Sequence, residues 1–275
     1  MSLRNPYHPI PMIVRRLIQE TPSIKSLVLE PLEAFRFEAG QFVELTVPLV
    51  GEAPFTPSSS PYVENELEVT IMRVGKVTDA LHELAPGERI GLRGPLGKGY
   101  PLDEFKGKDL LIVGGGVGMA PLRSLILTLL RKRNDYGNLI LCYGARTPKD
   151  VVYRSLLEKW QMGGEIDVRL AVDVGDATWK GKVGVVTVLL DDIDIKAMSL
   201  EKRAIVCGPP MMMRFTTMKL LEIGFVRDQI LLSMERNMSC GIGKCGHCMI
   251  GRYYVCLDGP VLRYSDIQQY GNIFE

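Results

Sequence analysis

The chain has 275 residues, 46% hydrophobic and 24% charged, the balance of an ordinary globular protein long enough for one large or two modest cored domains. A formal net charge of +1, with no basic run or aromatic-interleaved patch, gives no electrostatic footing for a nucleic-acid or anionic-membrane partner. No apolar run approaches the roughly 20 residues that span a bilayer, and the opening MSLRNPYHPIPMIV lacks the uninterrupted apolar core of a signal peptide, so a cytoplasmic setting with reduced thiols is expected.

The first hundred residues read as β-structure. IKSLVLEP, QFVELTVP and LEVTIMRV are short, rich in β-branched residues, and punctuated by EAG, PLVGEAP and PYVENE. Val43, Leu45 and Val47 alternate with Glu44 and Thr46; Leu67, Val69 and Ile71 alternate with Glu68 and Thr70. That period of two predicts strands with one buried face. APGERIGLRGP adds a turn and a short strand, and the close spacing predicts a small antiparallel barrel over residues 1–103. Its loops APFTPSSSP and MRVGKVTDAL offer hydroxyls beside an aromatic ring, then a charge, a bare backbone and a hydroxyl at Arg73, Gly75 and Thr78. Such a set suits a pyrophosphate, and equally a solvated loop.

Near Phe105 the pattern changes. DLLIVGGG is a short buried strand, and LRSLILTLLRKR is a helical segment whose basic end suits a helix C-terminus. NLILCYG, EIDVRLAVD and RAIVCGPP follow as apolar strands, with VVYRSLLEKW and MMMRFTTMKLLEIG as helices between them. The alternation predicts a doubly wound parallel-sheet domain over residues 104–226. Gly114, Gly116 and Gly118 lie between its first strand and helix, where backbone N–H groups at a helix end can meet a phosphate. The spacing departs from G-x-G-x-x-G, and the segment could also be a bare tight turn. Past the second strand stands Arg146 rather than an acidic residue. Cys207, ahead of Gly208 and Pro209, could wall a planar ligand or be an inert buried thiol. Cys142, inside an apolar strand, reads as core.

DQILLSM reads as a last strand, and residues 227–275 hold four of the six cysteines: Cys240, Cys245, Cys248 and Cys256. A disulfide pair is disfavoured by compartment, and structural zinc usually takes two separated C-x-x-C knuckles. C-x4-C-x2-C with a fourth cysteine downstream is instead the plant-type [2Fe–2S] spacing. Gly241, Gly243 and Gly246 let backbone N–H groups approach the sulfurs, and Lys244, Arg236 and Arg252 offset a dianionic cluster. With only three histidines, a cofactor is expected to carry the chemistry.

A barrel, a doubly wound domain with GGGVGMAP and CGPP, and SCGIGKCGHC followed by VCLDGP together resemble the ferredoxin–NAD(P)+ reductase superfamily over nearly the whole chain. The resemblance is to its iron–sulfur branch, which includes sulfhydrogenase gamma subunits, one of the subunits of anaerobic sulfite reductase, and the electron-transfer subunit of dihydroorotate dehydrogenase. NPYHPIP and GEAPF look more like the first two. The resemblance implies an N-terminal antiparallel flavin-binding β-barrel, an NAD(P)-binding domain and a C-terminal [2Fe–2S] segment. It implies FAD held by Phe55 and Thr56 beside the ring, by Ser58 in the same loop, and by Arg73, Gly75, Val77 and Thr78 around the pyrophosphate. The nicotinamide dinucleotide is implied at Gly114, Gly115, Gly116 and Gly118 and beside Cys207, Gly208 and Pro209. Arg146 is a candidate for a 2′-phosphate, a ribose or the pyrophosphate. Cys207 and Thr56 are the implied positioning residues of catalysis. Many relatives carry an arginine where this chain has Ala53, and Arg73 is the candidate to replace its charge.

The activity so implied is that of an NAD(P)H-dependent electron-transfer subunit. A nicotinamide delivers electrons in pairs and a cluster takes them singly, and a flavin mediates between the two. The expected partner is a catalytic subunit with further iron–sulfur clusters, of a hydrogenase or sulfite-reductase type. The alternative is a dihydroorotate dehydrogenase complex.

Overall fold

The computed structural model describes residues 5–271 and 273–274. Strands β1 (Ile10–Thr21), β2 (Ile24–Pro31), β3 (Phe42–Val47), β4 (Gly51–Phe55), β5 (Leu67–Met72) and β6 (Arg89–Leu96) form one antiparallel sheet ordered β4-β3-β6-β1-β2-β5. A bridge from Pro57 to Val69 brings its two edges together, so the sheet curls into a barrel. Leu27, Leu45, Leu67 and Leu92 fill the interior, and the short helix α1 (Lys76–His82) adds Leu81 to the same core.

The alternation in β3 and β5 was expected to leave a wet face, and it does not. Glu44, Glu68 and Thr70 are 2%, 7% and 4% exposed. The polar face is covered by the rest of the chain: Arg123 pairs with Glu68, Tyr153 bonds Thr70, and Gly241 lies against Glu44. A period of two thus identifies the apolar interior, but the other side of these strands is an interface rather than a surface.

After α2 (Leu102–Phe105) the chain builds β7 (Leu110–Gly115), α3 (Met119–Arg131), β8 (Leu139–Ala145), α4 (Arg154–Gly163), β9 (Asp167–Val172), β10 (Lys182–Val183), β11 (Arg203–Cys207), α5 (Pro210–Glu222) and β12 (Ile230–Ser233). Every residue of β7 is buried, as a central parallel strand requires. Leu110 and Ile112 pack on one side of the sheet with α3, and Leu111 and Val113 on the other with α5 residues Met213 and Leu220. The predicted helix VVYRSLLEKW begins only at Arg154. Tyr153 before it has φ 56°, a left-handed backbone rare outside glycine.

The tail adds a hairpin of β13 (Met249–Ile250) and β14 (Tyr253–Tyr254), then α6 (Val255–Asp258), β15 (Val261–Arg263) and α7 (Tyr264–Ile267). The larger sheet is ordered β10-β9-β8-β7-β11-β12-β15; its pairs are parallel except the last, where β15 runs antiparallel to β12. The strand order reverses direction between β7 and β11. Their C-terminal ends flank the crevice where ligands bind in doubly wound sheets.

Candidate functional site

A cavity of about 370 Å³ opens at this crevice and is walled by all three parts of the chain. The barrel contributes Phe55 and Thr56 from the end of β4, and Thr78 from α1. The sheet domain contributes Gly118 at the start of α3 and Cys207, Gly208 and Pro209 after β11. The segment after β12 contributes Ser233, Glu235 and Met238, and β5 contributes Thr70 and Met72. Sequence reasoning had missed these last five. Only Thr70 left a signal, as a hydroxyl in the middle of a strand buried on both faces.

The nucleotide side is shaped by close approach. A Cβ on Gly118 would stand 2.6 Å from the Cys207 carbonyl oxygen and 2.7 Å from Gly208 Cα, so only glycine lets the loop after β7 cross the end of β11. Gly114 pairs in register with Cys207 and packs against Leu122, and Gly115 faces Met212. Gly116 faces open space, its carbonyl accepting a bond from the Tyr143 hydroxyl at 3.1 Å. The first turn of α3 carries no acidic residue, so the positive end of a 13-residue helix is left for an anion. Arg146 is exposed just past β8, on the same edge of the sheet but outside the cavity wall.

Burial pushes the Cys207 thiol up to about 12, a hydrogen bond with Ser233 pulling partly against it. Cys207 is therefore a neutral, compact wall and not a thiolate nucleophile.

On the flavin side, the Thr78 hydroxyl accepts bonds from the N–H groups of Val74 and Gly75, both at 2.9 Å, and donates to the Gly75 carbonyl. It fixes the loop ahead of α1. Val77 lies against Gly51 on β4. Ser58 is fully buried and bonded to Thr70 at 3.0 Å and to the Glu68 carbonyl at 3.2 Å. Arg73 is exposed and paired with Asp79 and Glu83, each at 2.8 Å. Ala53, at the position where an arginine was expected, sits opposite Leu45.

The cysteine loop folds over the polar face of β3. Cys248 and Cys256 place their sulfurs 3.3 Å apart, and the Cys245 thiol bonds Cys240. The thiols thus stand as two pairs, and among the described residues no three His, Cys, Asp or Glu side chains close round a single ion. Backbone N–H groups of Ile242, Lys244 and Cys245 point at the Cys240 sulfur at 3.3–3.5 Å, and Gly243 donates to Cys256 at 3.1 Å. Burial works against ionisation of Cys240, but these donors outweigh it and bring the thiol down to about 6. Burial and the Cys248 contact push Cys256 up to about 12. The loop needs glycine at Gly243, whose φ is +73° and whose Cβ would fall 2.1 Å from Leu257. His247 is turned away to Ser239, 2.7 Å from its hydroxyl. Soft thiols in pairs with N–H donors aimed at sulfur fit an iron–sulfur centre. Beneath the loop, burial raises Glu44 to about 7, with Glu52 adding to the rise and Arg93 opposing it.

The three parts of the chain match three known families. Residues 10–100 match the oxidoreductase FAD-binding domain and residues 112–218 the oxidoreductase NAD-binding domain. Residues 235–268 match the iron–sulfur cluster binding domain of dihydroorotate dehydrogenase B. These define an NAD(P)H-dependent flavoprotein oxidoreductase with an iron–sulfur tail. Similar proteins include the Pyrococcus furiosus sulfhydrogenase 1 subunit gamma, 38% identical over 86% of this chain and 83% of the relative. The sulfhydrogenase 2 subunit gamma of the same organism is 36% identical, covering 89% of each. A probable dihydroorotate dehydrogenase B electron transfer subunit of Methanocella arvoryzae is 35% identical over 92% of this chain and 90% of the relative. Among solved structures, an NADH-dependent reduced ferredoxin–NADP oxidoreductase shares the fold at TM-score 0.76 and 24% identity, over 97% of this chain and 91% of the other. The chain belongs to the iron–sulfur branch of the ferredoxin–NAD(P)+ reductase superfamily. Among the described residues no helix is long and apolar enough to cross a membrane.

Proposed function

We propose that this chain is the electron-transfer subunit of a larger redox enzyme, linking NAD(P)H through FAD and a [2Fe–2S] cluster to a catalytic partner of hydrogenase or sulfite-reductase type. One observation carries the reading: barrel, sheet domain and cysteine segment all wall the same cavity. When bound, FAD supplies the exchange between paired and single electrons, and the cluster supplies a one-electron carrier.

The residues divide the work. Phe55 and Thr56 wall the flavin ring, and the loop fixed by Thr78, with Gly75 and Val77, meets the pyrophosphate. Arg73 is held at the rim of that loop by Asp79 and Glu83, and its guanidinium screens the pyrophosphate where Ala53 supplies no charge. Ser58 braces the wall through Thr70. The Gly114–Gly118 loop and the start of α3 take the nucleotide phosphates, and Arg146 the outer end of the dinucleotide. Cys207, Gly208 and Pro209 form the flat side against the nicotinamide, and the neutral thiol holds it without reacting. Cys240 with Cys245, and Cys248 with Cys256, supply two thiolates to each of two irons, a division that two separate pairs favour over a four-thiol zinc site. On this reading the functional parts run over residues 1–103, 104–226 and 227–275, and the protein works in the cytoplasm, where the thiols meet no oxidant.

Anaerobic reconstitution with iron, sulfide and FAD tests the assignment. The expected product carries two irons and one flavin per chain, bleaches its flavin band with NADH or NADPH, and then shows an S = ½ paramagnetic signal. Stoichiometric zinc without iron, or no retained flavin, would overturn it. A second reading, a dihydroorotate dehydrogenase complex, is favoured by the match over residues 235–268. The native assembly separates the two: H2-dependent dye reduction supports the first, dihydroorotate oxidation the second.

A further inference from the structure

Arg93 lies on β6, on the barrel, yet its side chain is 6% exposed and faces the cysteine loop. Its Nε donates to both oxygens of Glu52 at 3.0 Å, and its Nη2 pairs with the same carboxylate. The remaining nitrogen, Nη1, donates to the Cys240 carbonyl at 3.2 Å and to the Pro6 carbonyl at 3.1 Å. Glu52 is held in turn by the Thr46 hydroxyl at 2.6 Å. It lies on β4, the strand whose end carries Phe55 into the cavity wall. Beside this pair, Glu44 presents a buried Oε1 that has no hydrogen-bond partner and stands against Gly241, the residue after Cys240.

A buried guanidinium is expensive to desolvate, and fork-like pairing with one carboxylate leaves a single nitrogen to spend elsewhere. Here that nitrogen is spent on the backbone of the first cysteine in the loop. We propose that Arg93 is a positioning residue for the iron–sulfur loop: with Glu52 it pins Cys240 to the flavin-bearing strand, fixing the separation of the two cofactors and placing a buried positive charge beside the cluster. The role rests on the assignment of Cys240 as a cluster ligand, and nothing in the barrel's own packing calls for a cation that reaches out to another segment's carbonyl.

The test compares the full-length parent with Arg93→Gln and Arg93→Lys, in two states. In cluster-free protein, amide hydrogen exchange over residues 238–246 is expected to quicken in Arg93→Gln while exchange in β1 and β2 stays unchanged. In reconstituted protein, Arg93→Gln is expected to lower cluster retention or the flavin-to-cluster rate about tenfold or more, the usual effect of removing an outer-shell partner. Its paramagnetic g-values and cluster midpoint potential are expected to move, the potential downwards. Hydride uptake by the flavin is expected to stay within about twofold, since Arg93 is absent from the cavity wall. Arg93→Lys, which keeps the charge and loses the fork, is expected to restore the potential more fully than the exchange protection. Unchanged exchange together with unchanged g-values overturns the role, and so does a loss of flavin and cluster together with raised exchange throughout the barrel. Failure of the parent itself to take up iron would instead defeat the cluster assignment, before any variant is compared.

Discussion

The hydroxyl of Tyr153, in the segment leading into α4, hydrogen-bonds the hydroxyl of Thr70 on β5, joining positions 83 residues apart. Thr70 also meets Ser26 at 2.7 Å and Ser58 at 3.0 Å, so its hydroxyl is saturated and only its methyl is left for the cavity. The Arg123 guanidinium lies 4.7 Å from the centre of the Tyr153 ring while pairing with Glu68. This buried network holds the sheet domain against the barrel. Tyr153→Phe, which removes only the oxygen, is expected to lower the unfolding free energy by about 1–2 kcal/mol. Chemical denaturation of the cofactor-free protein checks it, and a change within error would show the contact to be idle.

Gly118 has helical dihedrals, so propensity alone would favour alanine there by up to about 1 kcal/mol. The collision with the Cys207 carbonyl and Gly208 Cα decides otherwise, because both are backbone atoms that cannot rotate away. Gly118→Ala is expected to destabilise by about 1–3 kcal/mol and to raise the KM for the nicotinamide cofactor. Thermal melts and steady-state kinetics read the two effects separately.

Cys207 and Cys142 are buried, and burial pushes each thiol up to about 12. In cluster-free protein, iodoacetamide is expected to modify the exposed Cys245 and leave both of these untouched until denaturant is added. Mass spectrometry of the labelled peptides settles the order. Rapid native labelling of Cys207 at mildly alkaline pH would contradict its role as an inert wall.

Glu20 titrates high because burial disfavours its charge, with hydrogen bonds from Ser26 and the Tyr153 N–H opposing the rise. The folded state therefore keeps this proton to higher pH than the unfolded chain does. The stability it contributes is present in acid and is lost as pH rises through the folded value. Glutamine cannot ionise, so the Tm of Glu20→Gln relative to the parent is expected to climb as pH rises from about 4 to about 7. A difference that stays flat across the series would mean Glu20 keeps an ordinary affinity for its proton.

The sheet domain was readable because its strands are buried on both faces and stand out as short apolar runs, as in the wholly buried Leu110–Gly115. The barrel was readable only in part. Strand β1 went unnoticed because Arg15, Arg16, Gln19 and Glu20 interrupt its apolar residues, and register shifts beside Val14 and Gln19 break the period of two. β4 was hidden in turn-like GEAPF. The cysteine spacing announced a metal centre, and the glycine loop a phosphate site, because both are local in sequence. The Arg93–Glu52–Cys240 and Tyr153–Thr70 contacts were invisible, since their partners lie far apart and each residue alone resembles an ordinary charged or aromatic strand or loop position.

Strand β15 closes the flank of β12 and runs against it, and the neighbouring Gly259 carbonyl accepts a bond from the Lys98 N–H at 2.6 Å. The iron-binding tail is therefore also the hem of the larger sheet. A shortened chain ending at Ser233 would bare a row of unpaired peptide groups along β12, a template for strand addition between molecules. Clipping the metal segment would thus trade a conductor for an aggregating edge, so it cannot be treated as a detachable accessory.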